Sequence, residues 1–237
     1  GQKNGPLMMA PPLAGSIRVN GPKDISVNIV MHGLTGMIDG KNYPGGLMVP
    51  MGSNGDKWIA SVLSYIRTHF GNSGSTISEK DVAKIRAATK DRKTPWTLEE
   101  LAKVYPMPLS NKKAWKLTAS HGKSKLMYAI DGNTTTRFDT GGQQEPGMWM
   151  QIELPETKQI HSISLDAGKS RNDYPLGYNL EISTDGQKWQ KIKESGSKQN
   201  LTEIKIKPTT AKFIKITLTK KKPGNYWSIH NMDIFAK

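Results

Sequence analysis

Oxygen-bearing side chains crowd one short stretch of this chain. Asp131-Gly132-Asn133, followed by Thr136, reads as a tight turn. Its carboxylate, carbonyl, amide and hydroxyl oxygens could face a hard cation, and six or seven such oxygens suit Ca²⁺. An Asp at the head of a turn can equally do no more than cap it, so both readings stand. Other chemistries find little support. The chain has no cysteine, which excludes disulfides and thiolate metal sites. Its five His residues fall in no H-E-x-x-H motif, and there is neither a G-x-S-x-G elbow nor a phosphate-binding loop. An enzyme is therefore the less favoured class, and a non-catalytic protein is expected.

Charge adds a second constraint. The 237 residues carry a formal net charge of +14, with 34 Lys and Arg against 20 Asp and Glu. The basic residues are scattered and no nucleic-acid motif accompanies them. Lys220-Lys221-Lys222 falls in an expected loop, where a polyanion such as an acidic glycan is one partner and plain solvation the other reading. No stretch approaches the roughly twenty apolar residues of a membrane span.

The elements that must position these groups change character near residue 110. Before it the periodicity is helical. Ile25–Leu34 reads as a short helix capped by Asp24. A second helix starts near Asn54 or Asp56, with Trp58, Ile59, Val62, Leu63 and Ile66 on one face and Gly71-Asn72 as its stop. Ser78-x-x-Asp81 opens a third, with Val82 and Ile85 inward, and Thr97-x-x-Glu100 is a capping box for a fourth, ending at Val104. After Ser110 the period is two. Trp149–Leu154, Ile160–Leu165, Tyr178–Ile182, Leu201–Ile206 and Phe213–Leu218 alternate as strands, with Asp185-Gly186 and Lys207-Pro208 as turns. Trp149, Trp189 and Trp227 are assigned to the core. Short strands at this spacing predict a β-sandwich or barrel.

Residues 11–72 contain Tyr43-Pro44-Gly45-Gly46, then Met48, Pro50 and Gly52 ahead of a helix. That string resembles the part of a bacterial monohaem cytochrome c that follows its C-x-x-C-H attachment motif. The resemblance implies a small all-α domain at 1–75, with Met48 as axial haem ligand and Met51 as the alternative. It implies haem c in the intact parent and none in the chain as given, which has no thiol to hold it. The Gly-, Pro- and Met-rich segment 2–15 fits a haem-wrapping loop, which suggests a chain beginning just after that motif. His32, the one imidazole ahead of the Met loop, is expected at the surface or hydrogen-bonded.

A second resemblance covers nearly all of residues 111–237. It rests on Ala129-Ile-Asp-Gly-Asn-Thr-Thr-Thr-Arg-Phe138, Gln144-Glu-Pro-Gly-Met-Trp149, Tyr174-Pro-Leu-Gly-Tyr178, Glu181–Trp189 and Asn225–His230. These look like the landmarks of a discoidin domain, the group that includes coagulation factor 5/8 C-terminal domains and family 32 carbohydrate-binding modules. The resemblance implies an eight-stranded jelly-roll sandwich that binds ligands with loops at one end. Those loops are 139–147, 169–175 and 220–227, and their candidate contacts are Gln144, Arg171, Asn172, Asp173, Tyr174, Tyr226 and Trp227. In many members a Glu near the C-terminus completes a Ca²⁺ site, and Asn231 stands at that position here.

The expected protein is therefore multidomain. A small all-α cytochrome-c-like domain at 1–75 and a helical linker at 76–110 precede an all-β discoidin-like sandwich at 111–237. Its expected role is that of an exported bacterial protein, periplasmic or extracellular, binding a glycan or cell-surface polysaccharide. The alternative is electron transfer to a partner dehydrogenase, with the sandwich as docking adaptor.

Overall fold

The computed structural model describes residues 3–4, 7–72 and 74–237. The expected loop at 2–15 thus lies partly outside the described residues. Contacts divide the chain into two compact units, Gly1–Met107 and Pro108–Lys237.

The first unit is helical, with α1 (Ile17–Asn20), α2 (Lys23–His32), α3 (Asp56–Thr68), α4 (Glu79–Ala88) and α5 (Leu98–Val104). Among its short strands, β1 (Leu34–Thr35) and β2 (Leu47–Met48) pair antiparallel. Both expected capping boxes form. Ser78 Oγ accepts from Asp81 N and Thr97 Oγ1 from Glu100 N, and each acidic side chain returns a bond to its cap. Helix α2 begins earlier than expected, after Pro22, with no side-chain cap. Asp24 lies inside the first turn instead, where a carboxylate favours the positive end of the helix dipole. The helix stops because Gly33 turns to φ +81°, and a Cβ there would stand 2.4 Å from Met48 O.

The expected linker at 76–110 is not one. Ile77, Val82 and Ile85 share a buried cluster with Val27 and Val30 of α2 and Ile59 and Leu63 of α3. Trp96 and Leu101 close a second cluster with Ile25 and Leu34. Trp58 also departs from expectation, because it faces solvent. The buried stripe of α3 is Ile59, Ala60, Leu63 and Arg67. Arg67 is fully buried, with Nε donating to Ser75 O at 2.6 Å and Nη1 to Gly21 O at 2.9 Å and to Val19 O. A buried guanidinium needs such acceptors, since an unsatisfied charge away from water is costly.

The second unit is a β-sandwich. Its strands are β3 (Lys116–Ala119), β4 (Phe138–Asp139), β5 (Trp149–Asp166), β6 (Tyr178–Ser183), β7 (Gln190–Ser195), β8 (Leu201–Leu218), β9 (Ser228–Ile229) and β10 (Asn231–Ala236). Strands β5 and β8 run 18 residues each. The front of β5 pairs with β3 and with the end of β8, which also pairs with β6, and β6 with β7. The back of β5 pairs with the front of β8 and with β10. Each long strand thus serves both faces of the sandwich. Lys207-Pro208 is not the expected turn, because β8 continues through it. The ladder register shifts between Lys205 and Thr209, which accommodates a proline that has no N–H to donate. Inward positions such as Met150, Ile152, Leu154, Leu180, Ile214, Ile216 and Ile234 build one core.

Candidate functional site

The loops 139–147, 169–175 and 220–227 do come together, and Gln144 joins them. Its side chain is fully buried. Nε2 donates to Tyr174 O and to Tyr226 O, both at 2.9 Å, and Oε1 accepts from Leu176 N at 3.2 Å. Its backbone N donates to Asn225 O at 2.9 Å, and its carbonyl accepts from Lys222 N at 3.0 Å. One amide therefore uses both donors and its acceptor to hold three loops. Such a residue cannot also read a ligand, so its expected contact role is corrected to that of a brace.

Asp173 and Trp227 are corrected likewise. Asp173 Oδ2 accepts from Ser228 Oγ at 2.6 Å and lies 3.7 Å from Arg137 Nη1. Trp227 is fully buried and meets Phe138 edge-on at 6.0 Å. Below these loops Arg137 bonds Ser170 Oγ, which lies 3.1 Å from His230 Nε2, while His230 Nδ1 lies 3.0 Å from Thr134 O. Gly168 underlies that imidazole, where a Cβ would come within 2.7 Å of the ring. Asp139 is buried as well. Burial alone would raise its pKa, but Lys125, the Gly141 N–H and Arg137 outweigh it and hold the carboxyl below its ordinary value.

What these loops present to solvent is smaller than the expected set. Arg171 and Asn172 are exposed, and neither side chain has a hydrogen-bond or ion-pair partner among the described residues. Tyr226 is 39% exposed. Tyr174 is half-buried, and Lys222 Nζ sits 3.3 Å from its ring centroid while also bonding Asn172 O. The surface thus offers one open ring, one ring capped by an ammonium, a free guanidinium and a free amide.

Two residues expected in the core lie elsewhere. Trp149 and Trp189 are half-buried on the outward side of the sandwich, flanking Lys215. The Lys215 ammonium is 5.2 Å from one ring centroid and 5.8 Å from the other. The alternation decides this, since Met150 and Ile152 point inward and Trp149 must then point out.

The oxygen-rich turn forms as a self-contained unit. Asp131 Oδ1 accepts from Asn133 N at 2.8 Å, and Oδ2 from Thr136 Oγ1 at 2.7 Å. Thr136 Oγ1 also lies 2.8 Å from Asn133 O, and Asn133 Oδ1 takes Thr135 N and Oγ1. Asn231 Oδ1 accepts from Lys112 Nζ at 3.2 Å, and that ammonium also bonds Met232 O and, at 2.5 Å, Asp233 Oδ1. No three His, Cys, Asp or Glu residues converge on a possible metal position among the described residues. In this arrangement the Asp131 carboxylate caps its own turn.

On the helical unit, Met48 lines an apolar hollow of about 350 Å³ together with Ile29, Leu34, Tyr43, Leu63 and Ile66. Met51 does not line it, and its N–H bonds Val30 O. No His lines this hollow. His32 is half-buried, its Nε2 2.8 Å from Thr89 Oγ1.

Comparison with known families matches residues 111–232 to the F5/8 type C domain. The chain belongs to that family. The match begins at residue 111 and leaves the helical unit outside it. F5/8 type C domains are typically non-catalytic binding modules. Among solved structures, the chain is similar to CpGH89CBM32-5 from Clostridium perfringens in complex with GalNAc-β-1,3-galactose, at 22% identity and TM-score 0.48, over 55% of this chain and 100% of that one. It is also similar to the family 32 carbohydrate-binding module of C. perfringens NanJ in complex with galactose, at 20% identity and TM-score 0.47, over 52% and 95%. A third is the C-terminal domain of a chitobiase from Bacteroides fragilis, at 26% identity and TM-score 0.46, over 55% and 98%. No curated protein matches the chain.

Proposed function

We propose that the F5/8 type C unit binds a glycan on the surface formed by loops 139–147, 169–175 and 220–227. The observation that carries this is Gln144, which fixes three loops from within and leaves Arg171, Asn172 and the Tyr226 ring turned outward. Sugars suit such a surface. Their CH faces stack on an aromatic ring, and planar guanidinium and amide groups read their hydroxyls. One ring and a few hydrogen bonds should bind weakly, with Kd roughly 0.1–1 mM. Calorimetry of the full chain against a panel of mono- and disaccharides tests the reading. Arg171→Ala and Asn172→Ala should each weaken the preferred sugar without altering the circular dichroism spectrum. Unchanged affinity in both would remove this surface from consideration. The proposed setting is an exported bacterial protein meeting cell-surface polysaccharide. No helix among the described residues is long and apolar enough to cross a membrane.

A second reading concerns the helical unit, and Met48 in the apolar hollow favours it. The lining residues supply an apolar wall and two thioethers, Met48 and Met9, which would suit half of a haem c pocket. They supply no thiol and no imidazole for the other half, so any haem c belongs to an intact parent that provides both. There the unit would serve electron transfer with a redox partner protein. Preceding the chain with a C-x-x-C-H segment tests this. The optical spectrum of the product should change with Met48→Ala and not with Met51→Ala, and the reverse would reject the assignment.

A further inference from the structure

A basic hollow of about 430 Å³ opens on the helical unit. It is lined by the end of α2 at Met31 and His32, by Pro50, Gly52 and Ser53 ahead of α3, and by Arg86, Lys90, Arg92, Lys93 and Thr94 from α4 and the turn after it. Four of these are cations and none is an acid. The two arginines are held in place. Arg86 donates to Asp56 Oδ1 at 2.7 Å, Gly52 O at 2.6 Å and Asn54 O at 2.8 Å. Arg92 donates to Thr94 O, Pro95 O and Glu100 Oε2, and its guanidinium lies 3.4 Å from the Trp96 ring centroid. Asp56 and Glu100 thus each balance one arginine. Lys90 and Lys93 have no such partner. Both are exposed, and neither makes a hydrogen bond or ion pair among the described residues.

Two uncompensated ammonium groups therefore face a space that also holds the His32 imidazole and the hydroxyls of Ser53 and Thr94. The two ammonium groups suit an anion carrying one to two negative charges on several oxygens, as a sulfate or phosphate ester does. A bare inorganic ion would leave much of the volume to water. We propose that this hollow binds the sulfate or phosphate ester of a small polar molecule such as a sugar, with Lys90 and Lys93 holding the oxyanion. Burial and the charges of Arg92 and Arg86 keep the His32 pKa below its ordinary value. The imidazole lines the hollow and so supplies a local reporter of anion binding.

The test titrates the full chain with a hexose 6-phosphate, a hexose 6-sulfate, inorganic phosphate and inorganic sulfate at fixed ionic strength. It follows heat by calorimetry and the His32 ring resonances by NMR across pH. The expected result is saturable binding of at least one ester, tighter than the inorganic ions, with the His32 pKa rising in the complex. Comparison of the two esters identifies the oxyanion. The double variant Lys90→Gln, Lys93→Gln should lower the affinity about tenfold or more, equivalent to about 1.4 kcal/mol. The affinity read from the His32 shift reports this hollow and not the loops of the other unit, so this proposal and the glycan reading fail separately. Absence of saturable binding, an unmoved His32 pKa, or full affinity in the double variant would overturn the site. Inorganic ions binding as tightly as the esters would overturn the ester assignment.

Discussion

Lys222 Nζ stands 3.3 Å from the centroid of the Tyr174 ring. The two tyrosines of the loop surface are therefore not equivalent. A sugar stacking on Tyr174 would have to displace a cation–π contact, which contributes about 0.5–1 kcal/mol at an exposed site. Tyr226 has no such cap. Tyr226→Ala should weaken sugar binding about tenfold, roughly 1.4 kcal/mol, and Tyr174→Ala distinctly less. Titration calorimetry of both variants against the same sugar checks the order, and a larger loss in Tyr174→Ala would reverse it.

Gln144 supplies a prediction about stability. Gln144→Leu keeps the approximate volume but strands the carbonyls of Tyr174 and Tyr226 and the Leu176 N–H. Leaving buried polar groups unsatisfied costs about 1–3 kcal/mol. The sandwich should unfold at correspondingly lower urea, and any sugar affinity should fall with it because the loops lose their tie. Unfolding monitored through the strand signal of the full chain measures this, and an unchanged midpoint would show that Gln144 holds nothing.

The α4 capping box gives a pH dependence. Hydrogen bonds from Lys23, and then from Ser78, depress the Asp81 pKa from 3.8 to about 2. Because the folded value lies below the unfolded one, the stabilisation is fully present above about pH 4. It is lost as pH falls through about 2. Asp81→Ala should therefore cost about 1 kcal/mol at neutral pH. That difference should shrink toward zero near pH 2 in parallel denaturant titrations. A cost independent of pH would assign it to packing instead.

Calcium should have little to act on at Asp131, whose oxygens already serve the Asn133 N–H and the Thr136 hydroxyl. Adding Ca²⁺ at about 1 mM, a concentration that fills many extracellular calcium modules, should not raise the melting temperature over that in chelator. A reproducible rise would show that the turn opens to take the ion.

Local rules made much of this architecture legible. The Ser78 and Thr97 boxes, the alternation in five strands and the turn chemistry at Asp131 all depend on neighbours in sequence. What escaped depends on distant partners. The alternation at Trp149 gave the right period, but residue size suggested the wrong phase, and Met150 and Ile152 were better guides. Strand β7 carries only Ile192 as an apolar residue in Gln190–Ser195, so its pairing to β6 left little pattern to detect. Arg67 reads as a surface cation until the carbonyls of Val19, Gly21 and Ser75 surround it. The segment 76–110 looked like a linker because its helices are short, although Val82 and Leu101 reach zero exposure. At the loop surface, sequence named the three loops that Gln144 joins but could not tell outward residues from the braces Gln144, Asp173 and Trp227.

The most direct test of the glycan surface is a glycan array probed with the full chain and with Tyr226→Ala, each at low and moderate salt. Exposed charge pairs are screened within about 10 Å at 0.1 M salt, so a contact made by charge alone should fade there. The account predicts a defined set of glycans that persists at moderate salt and disappears in Tyr226→Ala while the fold is retained. An array empty at both salts, or one that Tyr226→Ala leaves intact, would contradict it.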